Sequence, residues 1–303
     1  MKPDMSRRDN SIRQISNHPK VRVDPDAPLW RYIKLSPLFL NLNGKFFIPT
    51  IKQLQESDPK EGLSAISPEW IVGQLADHSP ETLDAVISSL PQDHQRVIKT
   101  TDTRDIAQCR HNSRLVADFW DANESESKCA WCWHCSSHES AAMWRLYAEA
   151  GVAIQTNLYR INSSLPKGLS FDAGKIQYCN KETGEIDSIN PEAPEIKSVL
   201  TRPYFFKSID YEFEREVRLI IDAETRGHGR LLTDISNEII DKVVFSPWTK
   251  LNEFESLSEI VTRFCPKAVV TRSSLIKDLD DERTESAIQD LLEAQPSRDE
   301  NVP

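Results

Sequence analysis

Glycine is scarce in this chain, which has only nine glycines among 303 residues. Neither a GxGxxG pattern nor a GxxxxGK(S/T) loop occurs, although Rossmann and P-loop nucleotide sites use such patterns to bring the backbone close to phosphate. Long apolar runs are also missing, because no stretch approaches the roughly 18 residues of a membrane-spanning helix. The sequence therefore argues against both nucleotide-site classes and against a membrane span.

Positive charge is in deficit, and cysteine is sparse and irregularly spaced. The formal net charge is −10, so no general basic surface is expected to recruit nucleic acid or anionic lipid, although a local basic groove stays open. Six irregularly spaced cysteines in a chain this long do not predict a disulfide framework. Since no signal peptide is recognisable either, the pattern predicts a protein of the reducing cytoplasm.

Aromatic and sulfur-containing side chains concentrate in one stretch, residues 128 to 156. It reads KCAWCWHCSSHESAAMWRLYAEAGVAIQT and holds three of the six cysteines and three of the seven tryptophans. The alternation of its first part predicts a strand over residues 128 to 135. Ser136 followed by Glu139 predicts a capping box at the start of a short helix, and Gly151 predicts the left-handed end of that helix. A second strand is expected directly afterwards.

The cysteines of this stretch raise the question of a metal site. Thiolates separated by two residues, with imidazoles nearby, can hold zinc or an iron–sulfur cluster. Here bulky aromatic residues fill the gaps where a metal knuckle needs a turn, and no second CxxC pair exists. The residues favour a buried strand with reduced thiols, so we expect no metal. The alternative is a metal-binding protein with the ligands Cys129, Cys132, Cys135 and His138.

The order of polar and periodic segments predicts one α+β domain with loosely ordered ends. Residues 1 to 27 are polar and aperiodic, which predicts a flexible N-terminal arm. The domain is expected over residues 28 to 278, with a central mixed β-sheet, flanking helices and a helical insert at about 67 to 123 between the early strands and the core strand. Charged residues dominate positions 279 to 303 and predict a partly disordered tail.

The strongest strand pattern of the second half is YEFEREVRLIID, from Tyr211 to Asp222. Alternation places four charged residues on one face: Glu212, Glu214, Glu216 and Arg218. Carboxylates two residues apart repel each other, so this face is solvated, paired with arginine or functional. Further on, a strand, a helix and a strand between Lys242 and Arg272 predict one right-handed crossover.

Three segments together resemble a known bacterial family. They are Leu29-Trp30-Arg31-Tyr32 with Lys45 to Pro49 and Asp58-Pro59; Cys135-Ser136-Ser137 with Met143 to Ala148 and Gly151-Val152; and Lys207 with Tyr211, Glu214, Glu216, Val217 and Arg218. Their order is similar to the motifs of the uncharacterised family catalogued as domain of unknown function 2971. The resemblance covers about residues 28 to 275. The chain departs from the family pattern in lacking a Phe after Cys135 and in having Tyr211 where Trp is usual, and the family name supplies no activity.

A remoter likeness connects the same layout with ADP-ribosyltransferase folds, which cleave NAD. Those folds place an arginine or histidine on an early strand, a serine or aromatic element on a middle strand and a glutamate on a late strand. Arg31, Ser136 or Ser137, and Glu214 with Glu216 fall in this order. The likeness predicts an NAD-dependent ADP-ribosyltransferase or NAD glycohydrolase that serves in a toxin or phage-defence system, with NAD as substrate and an unknown macromolecular acceptor.

The same likeness implies a role for each candidate residue. Cleaving the bond between nicotinamide and ribose builds positive charge on the ribose, so the site needs a carboxylate beside the ring and a cation on the pyrophosphate. Glu216 is implied as the first and Arg31 as the second, while Glu214 would activate the acceptor or water. The remaining contacts would be made by three residues: Ser137 on the ribose, and Trp144 or Tyr147 stacked on nicotinamide.

Each of these residues also has a structural alternative. The glutamates can form a solvated face on which Glu214 pairs with Arg218 or Arg202. Arg31 can lie exposed between two buried aromatic residues, and His134 and His138 can be structural histidines. For the whole protein, the alternative is a non-enzymatic module, such as a phage-defence accessory or an antitoxin-like protein. Its acidic surface would bind a basic protein partner.

Overall fold

The fold is described from a computed structural model, which describes residues 12–58, 61–62, 124–179 and 202–276. It confirms the predicted α+β class, because helices pack against an eight-stranded mixed sheet. The predicted helical insert at 67 to 123 and the predicted tail at 279 to 303 lie outside the described residues.

The described elements follow one another in short segments. The strands are β1 (Ile12–Gln14), β2 (Leu29–Lys34), β3 (Phe46–Ile48), β4 (Lys128–Cys135), β5 (Gly151–Thr156), β6 (Phe171–Lys175), β7 (Gln177–Cys179), β8 (Phe206–Ser208), β9 (Glu216–Asp222), β10 (Arg230–Leu232), β11 (Lys242–Phe245) and β12 (Val269–Arg272). The helices are α1 (Leu35–Leu42), α2 (Ile51–Leu54), α3 (Ala141–Tyr147), α4 (Leu158–Ser164) and α5 (Leu251–Phe264).

The central sheet has the strand order β1-β6-β9-β4-β2-β5-β11-β12. Pairing is parallel at its two edges, where β1 meets β6 and β11 meets β12, and antiparallel at every inner pair. Strands β11 and β12 are parallel and are joined by α5, so the predicted strand, helix and strand are confirmed. Two smaller sheets pair β3 with β10 and β7 with β8.

Strand β4 lies inside the sheet, and its residues alternate between the two faces as predicted. Cys129, Trp131 and Trp133 are at most 2% exposed and belong to the largest apolar cluster, whereas Ala130 packs in a cluster on the other face. The Trp131 ring centroid lies 5.3 Å from that of Trp133 and 5.3 Å from that of Phe46. Burying a large apolar side chain contributes roughly 1.5–3 kcal/mol, so β4 is a main source of the stability of the fold.

Residues 12 to 27 differ from the expected flexible arm, because they pack against the sheet. Strand β1 extends the sheet, and Val21 and Val23 are fully buried. The Gln14 side chain closes this segment, since its Nε2 donates to Val23 O and its Oε1 accepts from Val23 N, both at 3.0 Å. A three-residue strand is too short for hydrophobic periodicity to reveal it.

The predicted capping box of Ser136 and Glu139 is wrong. Helix α3 begins after Ser140, whose Oγ accepts from Met143 N at 3.4 Å. The Glu139 carboxylate instead accepts from the backbone N of Ser274 at 3.0 Å, far along the chain. The Glu139 side chain therefore forms a long-range contact and does not form the local helix cap that the sequence pattern predicts.

The prediction that Gly151 ends helix α3 in a left-handed conformation is wrong. Gly151 is instead the first residue of strand β5. The helix ends earlier, with Ala148 as its C-cap. The need for glycine is steric, because a Cβ at Gly151 would lie 2.1 Å from the carbonyl oxygen of Ile33 on the neighbouring strand β2. Glycine at this position allows β2 and β5 to pair closely.

The strand predicted over YEFEREVRLIID begins only at Glu216. Ile209–Glu214 form a 3₁₀ helix, and Arg215 follows in the left-handed region with φ of 41°. The prediction that the glutamates lie on one face of a common strand is therefore wrong. Glu212 is exposed, yet the carboxylates of Glu214 and Glu216 still meet at one buried cation.

No helix among the described residues has the length and apolarity to cross a membrane.

Replacement of Gly151 by alanine is expected to destabilise the protein by about 2 to 4 kcal/mol, because the new methyl group must push β2 and β5 apart. Gly168→Ala is the matched control: a Cβ there meets nothing within 4 Å, and only the positive φ of 88° carries a cost, of about 1 kcal/mol. Urea unfolding of both variants measures the difference. Equal losses in the two variants would contradict the steric account of Gly151.

Candidate functional site

A pocket of about 270 Å³ opens where strand β2 separates from β4. The two strands pair at only two positions, the second being Trp30 with His134. Beyond it, the segment after β3 takes the place of β2, and Ala130 N on β4 donates to Pro49 O at 3.0 Å. The pocket walls come from β2, β4, β8, β9, the end of α3 and the residues around Glu61.

Arg218, on β9, is a fully buried cation at the base of this pocket. Its Nε and Nη2 donate to the two carboxylate oxygens of Glu216 at 2.7 and 3.0 Å. Its Nη1 donates to Tyr204 O at 2.7 Å, and Nη2 lies 2.7 Å from Glu61 Oε1. A buried guanidinium without such partners would cost several kcal/mol, so these contacts are what allow Arg218 to lie inside the protein.

Lys207, on β8, is a second buried cation in the same network. Its Nζ lies 2.5 Å from Glu214 Oε2, 3.4 Å from Glu61 Oε2 and 3.5 Å from Glu216 Oε2. Burial alone would lower the pKa of Lys207, but the surrounding carboxylates raise it above its usual range. The network thus contains three carboxylates and two cations. One of its carboxylates is therefore not balanced by a cation of the network.

The two neighbouring glutamates differ in acidity. Burial acts to raise the pKa of Glu216, but Arg218 and Lys207 outweigh burial and lower this pKa to about 2. Burial also raises the pKa of Glu214, and Lys207 offsets this only in part while Glu216 adds repulsion, so the Glu214 pKa lies above its ordinary value. Paired carboxylates whose pKa values are pushed apart are typical of sites with separate acid and base roles.

Glu214 is buried, but a hydrogen bond to Tyr147 connects it with the solvent-exposed rim of the pocket. Tyr147 donates its hydroxyl to Glu214 Oε1 at 2.5 Å, and the Tyr147 side chain is 42% exposed at the pocket rim. Burial and the neighbouring Glu214 raise the pKa of Tyr147, so its hydroxyl stays a donor at neutral pH. A ligand hydroxyl that displaced Tyr147 would therefore meet Glu214 directly.

His134, on β4, borders the pocket in a fixed tautomer. Its Nδ1 lies 2.5 Å from the carbonyl oxygen of Glu214. Because a carbonyl only accepts, Nδ1 carries the hydrogen and the neutral ring keeps a lone pair on Nε2. Burial lowers the pKa of His134, so the ring is neutral near pH 7. No hydrogen bond joins Nε2 to any of the described residues.

Arg31 supplies positive charge to the same pocket. Its Nη2 donates to Phe47 O at 3.2 Å, while Nη1 is buried and has no partner within the described parts of the chain. Burial lowers the pKa of Arg31 to about 10, which a nearby Cys132 only partly offsets, and a guanidinium with this pKa is still charged at neutral pH. An unsatisfied guanidinium of this kind is suited to an anionic ligand.

The structure brings most of the predicted site residues together. Four of the six line the pocket: Arg31, Tyr147, Glu214 and Glu216. Ser137 is exposed outside it, with Oγ 3.1 Å from His138 Nδ1. Trp144 is fully buried in the apolar core, with Nε1 donating to Glu139 Oε2 at 3.0 Å. Neither side chain reaches the pocket, so their predicted contacts with ribose and nicotinamide have no support.

Sequence reasoning missed three groups of this site. The family-like motif contains Lys207 but implies no role for it, no sequence pattern marks Glu61 as a site residue, and His134 is predicted only as a structural histidine. The glutamate pair itself was a usable signal, since two carboxylates that are buried together require cations close by. Nothing in the sequence, however, indicates which distant lysine supplies the second charge.

The cysteines of β4 do not converge. Cys129 and Cys135 lie on one face of the strand and Cys132 on the other, so the three thiols cannot bind one ion together. Within the described ranges, no group of three His, Cys, Asp or Glu side chains is arranged to hold a metal ion. Burial raises the pKa of Cys129, Cys132 and Cys135, which keeps them as thiols.

Comparisons of the chain with family models, with curated proteins and with solved structures gave no match.

Replacing Glu216 by glutamine is expected to lower the free energy of unfolding by roughly 3 kcal/mol near neutral pH, because Arg218 loses its bidentate anionic partner. The matched control is Glu238→Gln, which breaks the exposed pair of Glu238 and Lys267 and should change the stability far less than Glu216→Gln does. Urea unfolding at fixed pH compares the two. A loss as small as that of the control would contradict the structural role of Glu216.

The same variants test the sign of the pH dependence. The folded-state pKa of Glu216, about 2, lies below its ordinary value of 4.5. Its ionised form therefore stabilises the fold above about pH 4.5, and this contribution is lost as the pH falls towards 2. Wild type should lose stability more steeply than Glu216→Gln over this range, and parallel curves would contradict the depressed pKa.

Proposed function

We propose that this protein is an enzyme that cleaves the N-glycosidic bond between nicotinamide and ribose in NAD. The ADP-ribosyl group would pass to a macromolecular acceptor or to water. The observation that carries the proposal is Glu214, a buried carboxylate with a raised pKa that shares one pocket with the unsatisfied guanidinium of Arg31.

The charge pattern of the pocket suits this reaction. As nicotinamide leaves, positive charge develops on the ribose, and a nearby carboxylate stabilises it more strongly in a water-poor pocket than in bulk solvent. The carboxylates of Glu214 and Glu216 and the excess negative charge of the network supply that field. Arg31, on the separate wall formed by β2, would hold a phosphate oxygen.

The geometry supports a division of roles between the two glutamates that differs from the one the sequence implies. Both oxygens of Glu216 bind Arg218, so Glu216 would act as a fixed negative charge and as the anchor of the network. Glu214 would be the group that exchanges a proton, because its pKa is raised and its partner Tyr147 borders solvent. His134 Nε2 offers a second acceptor for the proton of an incoming hydroxyl.

The pocket size limits what it can take. A volume of about 270 Å³ lies below the 300 to 1,000 Å³ typical of sites that enclose a whole drug-sized ligand. It suits the nicotinamide and ribose of NAD, with the adenosine half outside this pocket.

The resemblance to domain of unknown function 2971 supports a functional site here, since each of its three segments contributes to the pocket. Trp30 and Arg31 come from the first, Tyr147 from the second, and Lys207 with Glu214 from the third. The concentration of buried ionisable groups at this one place favours an enzyme over a non-enzymatic module, whose binding surface would lie on the exterior. A role in a toxin or phage-defence system stays part of the proposal.

Replacing Glu214 by glutamine is expected to slow nicotinamide release from NAD by about two to four orders of magnitude, because the pocket loses its proton-exchanging carboxylate. The matched control is Glu212→Gln on the same 3₁₀ helix, where the carboxylate is exposed and activity should stay at the wild-type level. The assay follows free nicotinamide and labelled acceptor from radiolabelled NAD.

Two results would contradict the proposal. One is wild-type protein that neither binds NAD nor releases nicotinamide with protein, nucleic acid or water as acceptor. The other is full activity in folded Glu214→Gln. Retained biological effect in that variant, together with loss of effect on reversing surface charges, would favour the protein-binding module instead.

A further inference from the structure

A second cavity, of about 720 Å³, opens beside the turn between the 3₁₀ helix Ile209–Glu214 and strand β9. We call it the basic groove. The side chains that matter for its chemistry are Lys20, Lys175, Tyr178, Glu212, Phe213 and Arg215. Glu216 also borders the groove, but its carboxylate is occupied by Arg218 on the side of the first pocket.

Charge separates the basic groove from the rest of the molecule. The chain as a whole carries a net charge of −10, yet the groove has three cations and one exposed carboxylate, Glu212. Neither Lys175 nor Arg215 forms an ion pair with a carboxylate of the residues that the structure describes. Lys175 Nζ donates to Pro19 O at 3.3 Å. The groove is therefore a local site of positive potential suited to an anion.

The backbone of Arg215 adds a second observation. Arg215 and Asp234 are the two non-glycine residues with positive φ among those described, and Arg215 joins the 3₁₀ helix to β9 with φ of 41°. Glycine or asparagine adopts this conformation at lower cost than arginine. An arginine kept in a strained conformation, where its side chain borders a groove, is an observed outlier that points to use of that side chain.

An aromatic ring lies on the same groove. Phe213 is 42% exposed although it is large and apolar, and it borders the groove together with the cations. Cations that bind phosphate beside an exposed aromatic face that stacks on a base are the combination that recognises nucleotides. A cavity of 720 Å³ lies within the range of sites that enclose a ligand of nucleotide size.

We propose that the basic groove binds a nucleoside diphosphate group. Arg215 and Lys175 would contact the phosphates, and Phe213 would stack on the base. The inference stands on the groove alone and does not depend on NAD cleavage in the first pocket. If both proposals hold, the groove would give the protein a second nucleotide site next to Glu216.

The test is calorimetric titration of the full chain with ADP and, separately, with inorganic pyrophosphate at low ionic strength. Arg215→Asn removes the charge but keeps a residue that accepts left-handed backbone, and Lys175→Met removes the second charge. Each should weaken ADP binding by about tenfold, and added salt should weaken wild-type binding further. Phe213→Leu should weaken ADP binding and leave pyrophosphate binding unchanged.

One control separates this groove from the rest of the surface. Lys267→Met removes an exposed lysine far from the groove in sequence, and this variant should bind ADP as wild type does. Melting temperatures confirm that each variant is folded. The inference is overturned if wild type binds no ADP at low salt, or if folded Arg215→Asn and Lys175→Met both keep wild-type affinity. Equal affinity for pyrophosphate and ADP would overturn the base-stacking role of Phe213.

Discussion

The burial of Arg218 is the constraint on which the site depends. A guanidinium with no exposed surface is tolerated only when its donors are satisfied, and here Glu216, Glu61 and the carbonyl oxygen of Tyr204 satisfy them. These partners come from β9 itself, from the segment after α2 and from the 3₁₀ helix Pro203–Phe205. The ion pairs and the hydrogen bond to Tyr204 O thus hold three separate parts of the chain around Arg218, and apolar clusters that include β4 residues pack nearby.

The chemistry of the pocket follows from the way this network distributes charge. Arg218 binds both oxygens of Glu216 and fixes it as an anion, whereas Glu214 shares Lys207 with Glu61 and Glu216 and has a raised pKa. The left-handed turn at Arg215 then places the Glu214 carbonyl against His134 and fixes the histidine tautomer. A structural ion pair, a carboxylate with a raised pKa and an oriented imidazole therefore arise within a few residues of β9 and β4.

Local sequence pattern predicts the parts of this fold that depend on neighbours in the chain. The α+β class, strand β4 and the segment from β11 to β12 follow from periodicity, since alternating or helical burial is visible in the residues themselves. The errors at Glu139 and Gly151 have another origin. Glu139 binds Ser274, and Gly151 avoids the backbone of Ile33, so distant contacts decide both positions.

The residues of the candidate site also divide into those that local pattern predicts and those that only distant contacts bring together. Arg31, Glu214 and Glu216 could be found from charged residues in strand-like segments and from the family resemblance. Lys207 and Glu61 could not be assigned, because their role exists only after β8 and the residues around Glu61 fold against β9. At the centre of this site, Arg218 and Lys207 give the carboxyl groups of Glu214 and Glu216 different pKa values. Carbon NMR titration of the carboxyl groups, assigned with the two Glu→Gln variants, tests it most directly: the account predicts that Glu214 titrates above its ordinary value of 4.5 and Glu216 near 2, and titration of both at ordinary values would contradict it.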